Sequence, residues 1–271
     1  MTAIVNPADR PPSPTKTAPA AAPAAASATA SRDNPAPVRA LLFDLDDTLW
    51  PIVPVIVAAE QALYRWLQEH APAVAAAHSV ESLRARRMAL IDQDPRHGID
   101  LMALRALVMT EAFEAHGEDL GKIAAGMELF GQARNRVQPF DDVLPALQRL
   151  GQKYLLGSVS NGAADLAAIG MARHFRISVA AHEFGSLKPD PAIFLHACQA
   201  LGVAPAEAVY IGDDPAADVI GAQQAGMRTV WINRFERVLP SHIRPDASCA
   251  SLEQLETWLA SIRPMQDAQG A

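Results

Sequence analysis

An apolar segment of this chain runs directly into a cluster of carboxylates. Residues 38–43 are apolar apart from Arg39, and Asp44, Asp46 and Asp47 follow at once. Two unit charges about 4 Å apart repel each other by about 4 kcal/mol at an effective dielectric constant near 20. Three unpaired carboxylates at the end of a buried strand would therefore be strongly unfavourable. We infer that this segment needs a cation to offset its charge.

Three further apolar runs end in polar or glycine-containing turns. They are Tyr154–Val159, Ala208–Ile211 and Thr229–Ile232. Strands covered on both faces lose the polar–apolar alternation of half-exposed strands, so these runs and Val38–Phe43 predict buried parallel strands. Amphipathic helices are predicted at Asp142–Leu150, Pro215–Ala225 and Ser251–Ile262. The alternation of strands and helices predicts an α/β fold with a doubly wound parallel sheet.

The segment from residue 53 to residue 137 has a different pattern, without strand-like runs. Apolar residues recur there at helical spacing, as Ile56, Ala59, Leu63, Trp66 and Leu67, and as Leu101, Leu104, Val108 and Ala112. We therefore predict a helical insertion, defined here as residues 53–137. The catalytic core would comprise residues 38–52 and 138–271. Residues 1–37 are rich in Ala and Pro and poor in large apolar side chains, which predicts a disordered tail.

The overall charge and the distribution of apolar residues argue against several classes of protein. The formal net charge is −7, whereas nucleic-acid binding needs a dense positive surface. No apolar run reaches the roughly 18 residues of a membrane helix, and the N-terminus does not resemble a secretory signal. Cys198 and Cys249 lack the spacing of a zinc site or a disulfide framework. We predict a cytoplasmic protein that acts on small molecules, without nucleic-acid or membrane partners.

Polar residues follow three of the predicted strands. Asp44, Asp46, Asp47 and Thr48 follow the first, Ser160, Asn161 and Gly162 the second, Gly212, Asp213, Asp214 and later Asp218 the third, and Lys188 lies between the second and the third. In an open α/β sheet, ligands bind at the carboxyl ends of the strands. We therefore expect these groups to line one crevice. Side chains two residues apart on an extended chain point the same way, so Asp44 and Asp46 should face it together.

The residue types in this crevice predict phosphoryl chemistry. Asp44, Asp46 and Asp213 would form an all-oxygen cluster that suits Mg²⁺, and the cation would offset their repulsion. Lys188 and a serine hydroxyl suit an oxyanion such as a phosphoryl group. Asp44, at the very end of the strand, is the expected nucleophile. Asp46 is the expected acid towards the leaving alcohol and base towards water.

Four ordered motifs resemble those of the haloacid dehalogenase-like hydrolases. They are Asp44-Leu45-Asp46-Asp47-Thr48, Ser160-Asn161-Gly162, Lys188-Pro189-Asp190-Pro191 and Gly212-Asp213-Asp214 through Asp218. Each motif is short, but their order, their intervals and their positions after apolar runs agree over residues 40 to about 233. The resemblance implies a Rossmann-like core with a mobile helical cap, for which the helical insertion is the candidate.

The resemblance also implies a role for each matching residue. Asp44 would be the nucleophile, and Asp46 the general acid and base. The implied metal ligands are Asp44, Asp46 through its backbone carbonyl, and Asp213. The implied phosphate-binding residues are Thr48, Ser160, Asn161 and Lys188. Asp214 and Asp218 are supporting residues, one of which would complete the outer shell of the metal or orient Lys188.

Two other classes of protein share parts of this pattern. The calcium loop of an EF-hand also begins Asp-x-Asp, but its sixth position would be Leu49 rather than Gly and its twelfth Val55 rather than Glu. A phospho-acceptor signalling module of the receiver type has an acidic pair, a phosphorylatable Asp and a Lys-Pro. In a receiver the Lys-Pro lies at the last strand, and the helical insertion has no counterpart. A receiver would keep its phosphoryl group rather than release phosphate catalytically.

We therefore predict a magnesium-dependent phosphatase that hydrolyses a small phosphomonoester metabolite through an aspartyl-phosphate intermediate. The chain also resembles helical-cap phosphatases that act on flavin mononucleotide and ribitylaminopyrimidine phosphates, while phosphoglycolate, sugar phosphates and nucleotides are further candidate substrates. Haloacid dehalogenase and phosphomutase activities are alternatives on the same fold. Displacement of a halide needs the nucleophile but neither an acid nor magnesium, so Asp46 and Asp213 favour the phosphatase.

Overall fold

A six-stranded parallel sheet forms the centre of the computed structural model, which describes residues 36–262. The strands are β1 (Ala40–Phe43), β2 (Leu155–Ser160), β3 (Ile177–Ala180), β4 (Ala208–Gly212), β5 (Arg228–Ile232) and β6 (Ala247–Cys249). Their order across the sheet is β3-β2-β1-β4-β5-β6, so β1 lies between β2 and β4. The predicted parallel sheet is confirmed, and the four predicted strands correspond to β1, β2, β4 and β5.

Helices cover both faces of the sheet and fill the helical insertion. The α-helices of the described residues are α1 (Ile52–His70), α2 (Pro72–Ala77), α3 (Val80–Gln93), α4 (Leu101–His116), α5 (Ile123–Arg134), α6 (Val143–Leu150), α7 (Leu166–Ile169), α8 (Ala181–Phe184), α9 (Pro191–Leu201), α10 (Gly221–Gln224) and α11 (Leu252–Ser261). Helices α6 and α11 match two predicted helices to within a residue at each end. The predicted helix at Pro215–Ala225 is a π-helical turn, Pro215–Ile220, that continues into α10.

Strand β1 shows why the apolar runs lack alternation. Leu41 and Phe43 pack into the apolar core on one face of the sheet, whereas Ala40 and Leu42 pack into the core on the other face. All four side chains are fully buried. Because successive residues of a strand point to opposite faces, a strand covered on both sides needs an apolar residue at every position.

The helical insertion has an apolar core of its own. Leu63 and Leu67 of α1 pack with Leu104 and Val108 of α4 and with Phe130 of α5. Leu101 belongs to the predicted stripe but is 42% exposed. It lies one turn before Leu104, at the end of α4 that faces the carboxyl edge of the sheet. No strand interrupts residues 53–137, all of which the structure describes.

Two predictions concern the ends of the chain and its surroundings. The predicted tail, residues 1–37, lies outside the described residues except for its last two. Among residues 36–262, no helix has both the length and the apolar character needed to cross a membrane.

Candidate active site

A cleft of about 370 Å³ lies at the carboxyl ends of β1, β2 and β4. It is lined by Asp44, Asp46, Asp47, Ser160, Asn161, Gly162, Lys188, Asp213, Asp214, Ala217, Asp218 and Arg237, with Ile52 at the start of α1 and Leu101 from the helical insertion. The two flanking strands are in register with β1, since Phe43 pairs with Ser158 of β2 and with Ile211 of β4. The polar residues that follow these strands therefore converge, as the sequence predicted.

Lys188 connects the segments that follow β1 and β4. Its Nζ donates hydrogen bonds to Asp44 Oδ1 at 2.6 Å, to Asp218 Oδ1 at 2.7 Å and to the Tyr210 hydroxyl at 2.9 Å. The residue is 3% exposed. All three protons of the ammonium group thus have acceptors, and the side chain is held in one position at the base of the cleft.

Asp44 retains one oxygen for chemistry. Its Oδ1 accepts the hydrogen bond from Lys188, whereas Oδ2 accepts none from any residue in the described part of the chain. The backbone of Asp44 extends the ladder of β1, because its N–H donates to Ile211 O at 2.8 Å. The carboxylate is therefore placed by the sheet itself, with a free oxygen in a cleft.

Asp218 supports Lys188 from the far side of the cleft. Its Oδ1 accepts from Lys188 and its Oδ2 accepts from the backbone N–H of Asp214 at 2.9 Å, and the residue is 1% exposed. A methyl group on Gly212 would collide with the Asp218 carboxylate. Only glycine at the end of β4 leaves room for this carboxylate. Of the two predicted supporting residues, Asp218 is the one that contacts Lys188.

Asp214 has a different set of contacts. Its Oδ1 accepts hydrogen bonds from the N–H groups of Ala216 and Ala217 at 2.7 and 2.9 Å. These contacts cap the π-helical turn that starts at Pro215. The carboxylate lines the cleft but is engaged in holding the start of this turn.

The segment after β2 holds the backbone of Lys188. Asn161 Oδ1 accepts from Lys188 N at 2.8 Å, and Asn161 Nδ2 donates to Lys188 O at 3.0 Å. Ser160 Oγ faces the cleft and accepts from Gly162 N at 3.0 Å. Asn161 thus fixes Lys188, and Ser160 is the hydroxyl that the segment presents. The other serine of β2, Ser158, is fully buried and donates to Ser178.

Thr48 differs from the other predicted phosphate-binding residues. It is fully buried and lies outside the set of residues that line the cleft. Its Oγ1 has no hydrogen-bond partner among the described residues. Its assignment to phosphate binding stays a prediction.

The Asp46 carboxylate contacts a residue of the helical insertion. Arg134, the last residue of α5, donates from Nη2 to Asp46 Oδ1 at 2.8 Å and to Oδ2 at 2.7 Å. Trp50 Nε1 donates to Oδ1 at 2.8 Å. Asp44 and Asp46 both line the cleft, as predicted. The predicted contact of Asp46 with the metal is through its backbone carbonyl, so the contacts of its side chain with Arg134 and Trp50 do not bear on that prediction.

Arg237 approaches the acidic cluster from the segment after β5. It donates from Nη1 to Asp213 Oδ2 at 2.8 Å and from Nη2 to Asp47 Oδ2 at 3.1 Å. Asp47 has a left-handed backbone, with φ of 60°, and its Oδ1 accepts from the first N–H of α1, that of Ile52, at 3.0 Å. Asp47 therefore caps the start of α1 with one oxygen and contacts Arg237 in the cleft with the other.

Burial and mutual repulsion shift the ionisation of these groups. The pKa of Asp44 is raised well above its ordinary value, chiefly by burial, although Lys188 acts in the opposite direction. Burial, followed by the charges of Asp218 and Asp47, raises the pKa of Asp213 to about 7, with Arg237 opposing them. Burial acts to lower the pKa of Lys188, but Asp218 and Asp44 together raise it above its ordinary value. The cluster as a whole is short of positive charge.

The carboxylates form a donor set that fits a divalent cation. Single oxygens of Asp44, Asp213 and Asp218 all lie within 4.8 Å of one another. Six carboxylates line the cleft, whereas the cations that contact them in the described residues are Lys188, Arg134 and Arg237. Hard oxygen donors with excess negative charge suit Mg²⁺ better than a transition metal.

Three residues of the site were missed by the sequence analysis. Arg134 follows Gly126 and Phe130 at a spacing of four on the buried side of α5. A charged residue at this position of an apolar helix face could have indicated a buried ion pair. Tyr210 is a phenol within a fully buried strand, where it also donates to Val159 O at 2.9 Å. Arg237 lies beyond the carboxyl end of β5 and carries no comparable signal.

Comparisons with known proteins agree with this architecture. Residues 38–226 match the family model described as haloacid dehalogenase-like hydrolase. The chain is 31% identical to the phosphoserine phosphatase of Thermus thermophilus, over 80% of this chain and 98% of that protein. It is 30% identical to the 5-amino-6-(5-phospho-D-ribitylamino)uracil phosphatase YigB of Escherichia coli, over 72% of this chain and 83% of that protein.

A solved structure resembles the described fold in both shape and sequence. The crystal structure of a 2-haloacid dehalogenase from Pseudomonas syringae pv. Tomato DC3000 superposes with a TM-score of 0.78 and 39% identity, and the match covers 83% of this chain and 100% of that one. The family match spans the four motifs and the strands that position them. This chain belongs to the haloacid dehalogenase-like hydrolases.

Proposed function

We propose that this hydrolase is a magnesium-dependent phosphatase that cleaves a small phosphomonoester through an aspartyl-phosphate on Asp44. The observation that carries the proposal is the contact between Lys188 and Asp44. A buried ammonium group holds one oxygen of a strand-end carboxylate at 2.6 Å and leaves the other oxygen free in the cleft. A nucleophilic carboxylate needs such fixed positioning beside groups that neutralise phosphoryl charge.

The predicted class of enzyme, a phosphoric monoester hydrolase, is confirmed by the family match together with the relatives named as phosphatases. The roles of individual residues and the identity of the substrate are what we propose here.

The proposed reaction has two displacements at phosphorus. Asp44 Oδ2 attacks the phosphorus atom, the bond from phosphorus to the ester oxygen breaks, and Asp46 gives its proton to the departing alkoxide. Asp46 then takes a proton from a water molecule, whose oxygen attacks the same phosphorus atom and releases phosphate and the Asp44 carboxylate. The second step restores the proton on Asp46, so the cycle is balanced.

Lys188 and Ser160 are the proposed phosphate-binding groups. The Lys188 ammonium lies beside the nucleophile, so its positive charge acts on a phosphoryl group that approaches Asp44, while its three protons hold Asp44, Asp218 and Tyr210. Ser160 Oγ lies at the end of the neighbouring strand, and its hydroxyl proton is available for a phosphoryl oxygen because Oγ acts as the acceptor in its hydrogen bond with Gly162 N. Asn161 acts through the Lys188 backbone rather than on the phosphate, and Asp218 acts through Nζ.

Asp44 and Asp213, with the backbone carbonyl of Asp46, are the proposed magnesium ligands. Bound Mg²⁺ would supply positive charge that offsets the negative charge of the phosphoryl oxygens. Asp218 also lies in the cluster of three carboxylates with Asp44 and Asp213. Its two oxygens, however, already accept hydrogen bonds, one from Lys188 and one from the Asp214 backbone. We therefore place Asp218 outside the first coordination shell.

The size of the cleft favours a small metabolite as substrate. At about 370 Å³, the cleft matches a phosphoryl group with a compact leaving group, and its wall at Ile52 and Leu101 is apolar. Ribitylaminopyrimidine phosphate, flavin mononucleotide, phosphoglycolate, phosphoserine and sugar phosphates form the panel of candidates. The resemblance to YigB supports the first of these, and the resemblance to phosphoserine phosphatase supports the fourth.

A haloacid dehalogenase is the second candidate, because the similar crystal structure with 39% identity carries that name. Displacement of a halide by Asp44 would leave Asp46 without a role, since a halide departs without a proton. The dehalogenase would release chloride from 2-chloropropionate without magnesium, and Asp46→Asn would keep that activity.

The test is phosphate release from the candidate panel in the presence of Mg²⁺, with Asp44→Asn as the inactive variant. The control is Asp119→Asn, which makes the same chemical change at a carboxylate that accepts from Gly121 N outside the cleft. We expect wild type and control to hydrolyse at least one monoester, chelation to abolish the activity, and Asp44→Asn to fold without activity. Full activity of Asp44→Asn, or chloride release in place of phosphate release, would contradict the proposal.

A further inference from the structure

Arg134 is a buried cation whose one carboxylate partner among residues 36–262 is Asp46. Its side chain is 4% exposed, and one nitrogen, Nη2, reaches both oxygens of that carboxylate. The other terminal nitrogen, Nη1, is buried without a hydrogen-bond partner in the described residues. Burial of a guanidinium group is costly, and the negative charge of Asp46 offsets part of that cost.

The contact joins two parts of the molecule that are distant in sequence. Arg134 ends α5 of the helical insertion, whereas Asp46 follows β1 at the edge of the sheet, 88 residues earlier. Trp50 donates to the same carboxylate from the core side at 2.8 Å. Asp46 is therefore held by one donor from the core and one from the helical insertion, and neither oxygen is free to rotate.

The segment after β2 is shaped around this pair. A methyl group on Gly162 would collide with Asp46 Oδ2 and would lie 3.2 Å from Arg134 Nη2. The glycine brings the backbone that carries Ser160 and Asn161 into direct contact with the pair. Three segments thus meet at the Asp46 carboxylate, and each leaves room for the others.

A contribution to the stability of the fold does not by itself explain the ion pair between Arg134 and Asp46. Replacement of a buried ion pair by apolar residues of similar volume is often neutral or stabilising, so such a pair is weak evidence of a structural role. What a guanidinium provides to a carboxylate is fixed direction. Direction matters for a group that must transfer a proton, because small misplacements of reacting groups cost large factors in rate.

We propose that Arg134 is a positioning residue for Asp46, which aligns the carboxyl group with the leaving-group oxygen only when the helical insertion is docked on the sheet. The inference rests on the proposed function, in which Asp46 protonates the leaving group. It adds that proton transfer depends on a residue outside the core, because the helical insertion supplies the guanidinium group that fixes the direction of the Asp46 carboxyl group.

The consequence is a defect that depends on the leaving group. Phenyl phosphate and p-nitrophenyl phosphate are similar in shape, but p-nitrophenolate is a weak base that departs without a proton, whereas phenolate needs one. A variant with a misplaced acid should therefore fail on phenyl phosphate and retain activity on p-nitrophenyl phosphate. A variant with a damaged fold or a weakened phosphate site should lose activity on both esters alike.

The experiment measures kcat/KM on both esters for wild type, Arg134→Gln, Arg134→Lys and Asp46→Asn, because this ratio reports the first displacement and not the hydrolysis of the aspartyl-phosphate, which is the same for both esters. The matched control is Arg136→Gln, the same change at an exposed arginine two residues further along the chain. We expect Arg134→Gln to lower kcat/KM on phenyl phosphate about 10-fold to 100-fold and on p-nitrophenyl phosphate less than about 3-fold. Arg134→Lys should recover part of the loss in kcat/KM, and Asp46→Asn should show the same selectivity more strongly.

The variants at Arg134 test the positioning role, whereas the variant at Asp46 tests the proposed function. An equal loss on both esters, or no loss, in Arg134→Gln and Arg134→Lys would refute the positioning role. The absence of selectivity in Asp46→Asn would instead refute Asp46 as the acid, and with it the proposed function. If the Gln variant does not fold, the Lys variant alone decides. If the cleft excludes aryl groups, acetyl phosphate and ethyl phosphate supply the same contrast, and turnover of none of these esters or of the metabolite panel would contradict both proposals.

Discussion

Lys188 Nζ lies 2.6 Å from Asp44 Oδ1, although 144 residues separate the two in the chain. The parallel order of the sheet creates this contact, since β1 lies between β2 and β4 and the segments beyond all three strands meet at one edge. Asp218 and Tyr210 complete the set of acceptors around the ammonium group. The position of Lys188 therefore depends on β4 as much as on the nucleophile.

Asp218→Asn should separate the two supporting aspartates. The amide removes the charge that holds Lys188 and leaves the shape, so we expect kcat/KM to fall about 10-fold to 100-fold and the free energy of unfolding to fall by about 1–3 kcal/mol. Asp214→Asn is the matched control, because Asn caps a helical turn about as well as Asp. Steady-state kinetics and thermal denaturation check both variants. A larger loss of activity in Asp214→Asn than in Asp218→Asn would reverse the assignment.

Gly212→Ala should disrupt the site through sterics alone. The added methyl group would collide with the Asp218 carboxylate, which cannot retreat because it is fully buried and hydrogen-bonded. We expect a loss of about 1–3 kcal/mol in the free energy of unfolding and a loss of activity similar to that of Asp218→Asn. Gly98→Ala is the control, since a methyl group there meets no atom within 4 Å. Unchanged stability of Gly212→Ala in chemical denaturation would show that Asp218 is free to move.

The stabilisation by Mg²⁺ should grow with pH. The pKa of Asp213 is raised to about 7, chiefly by burial. A carboxyl group with a raised pKa in the folded chain stabilises the fold below its ordinary pKa, and this contribution disappears as the pH rises through the raised value. The metal-free protein should therefore lose stability as the pH rises through about 7, and at pH 8, where the carboxyl group is ionised, Mg²⁺ no longer competes with a proton.

Thermal denaturation with Mg²⁺ and with a chelator, at pH 6 and at pH 8, measures this effect. We expect the increase in Tm on adding Mg²⁺ to be larger at pH 8, and Asp213→Asn to remove most of the difference. An equal increase at both pH values would argue against Asp213 as a ligand.

Arg237→Gln should tighten magnesium binding. The guanidinium group lies 2.8 Å from Asp213 Oδ2 and opposes a second cation there. Its side chain is 46% exposed, so water screens the effect, and we expect a change in Kd of only about 2-fold to 5-fold. Calorimetric titration with MgCl₂ measures it, with Arg244→Gln as a control at another partly exposed arginine, which contacts backbone carbonyls. Weaker binding in Arg237→Gln would mean that Arg237 organises the ligands.

The elements that the sequence predicted well are those with a local cause. Strands β1, β2, β4 and β5 are buried on both faces and therefore read as continuous apolar runs. Strands β3 and β6 are short and lie at the two edges of the sheet, where Ser178 and Ser248 are exposed, so no such run marks them. The irregular start of the helix at Pro215 was not predictable either, since Asp218 within that turn is drawn to Lys188, which is 30 residues away in the chain.

The residues of the candidate site also divide into those that a local sequence pattern predicts and those that depend on distant contacts. Its carboxylates, Ser160 and Lys188 stand in short motifs directly after strands, where the order of the sheet brings them together. Arg134 reaches the site across 88 residues, and its contact with Asp46 depends on how the helical insertion packs on the core. No local pattern encodes a docking geometry of that kind. The same reason applies to Arg237, which meets Asp47 across 190 residues.

The central claim is that Asp44 carries the phosphoryl group during turnover. The most direct measurement is mass spectrometry of enzyme quenched in acid during hydrolysis of its best monoester, for wild type and Asp44→Asn. The account predicts one added phosphoryl group on the peptide that contains Asp44 in the wild type and none in the variant. A phosphoryl group on another residue, or an unmodified enzyme under conditions of steady turnover, would contradict it.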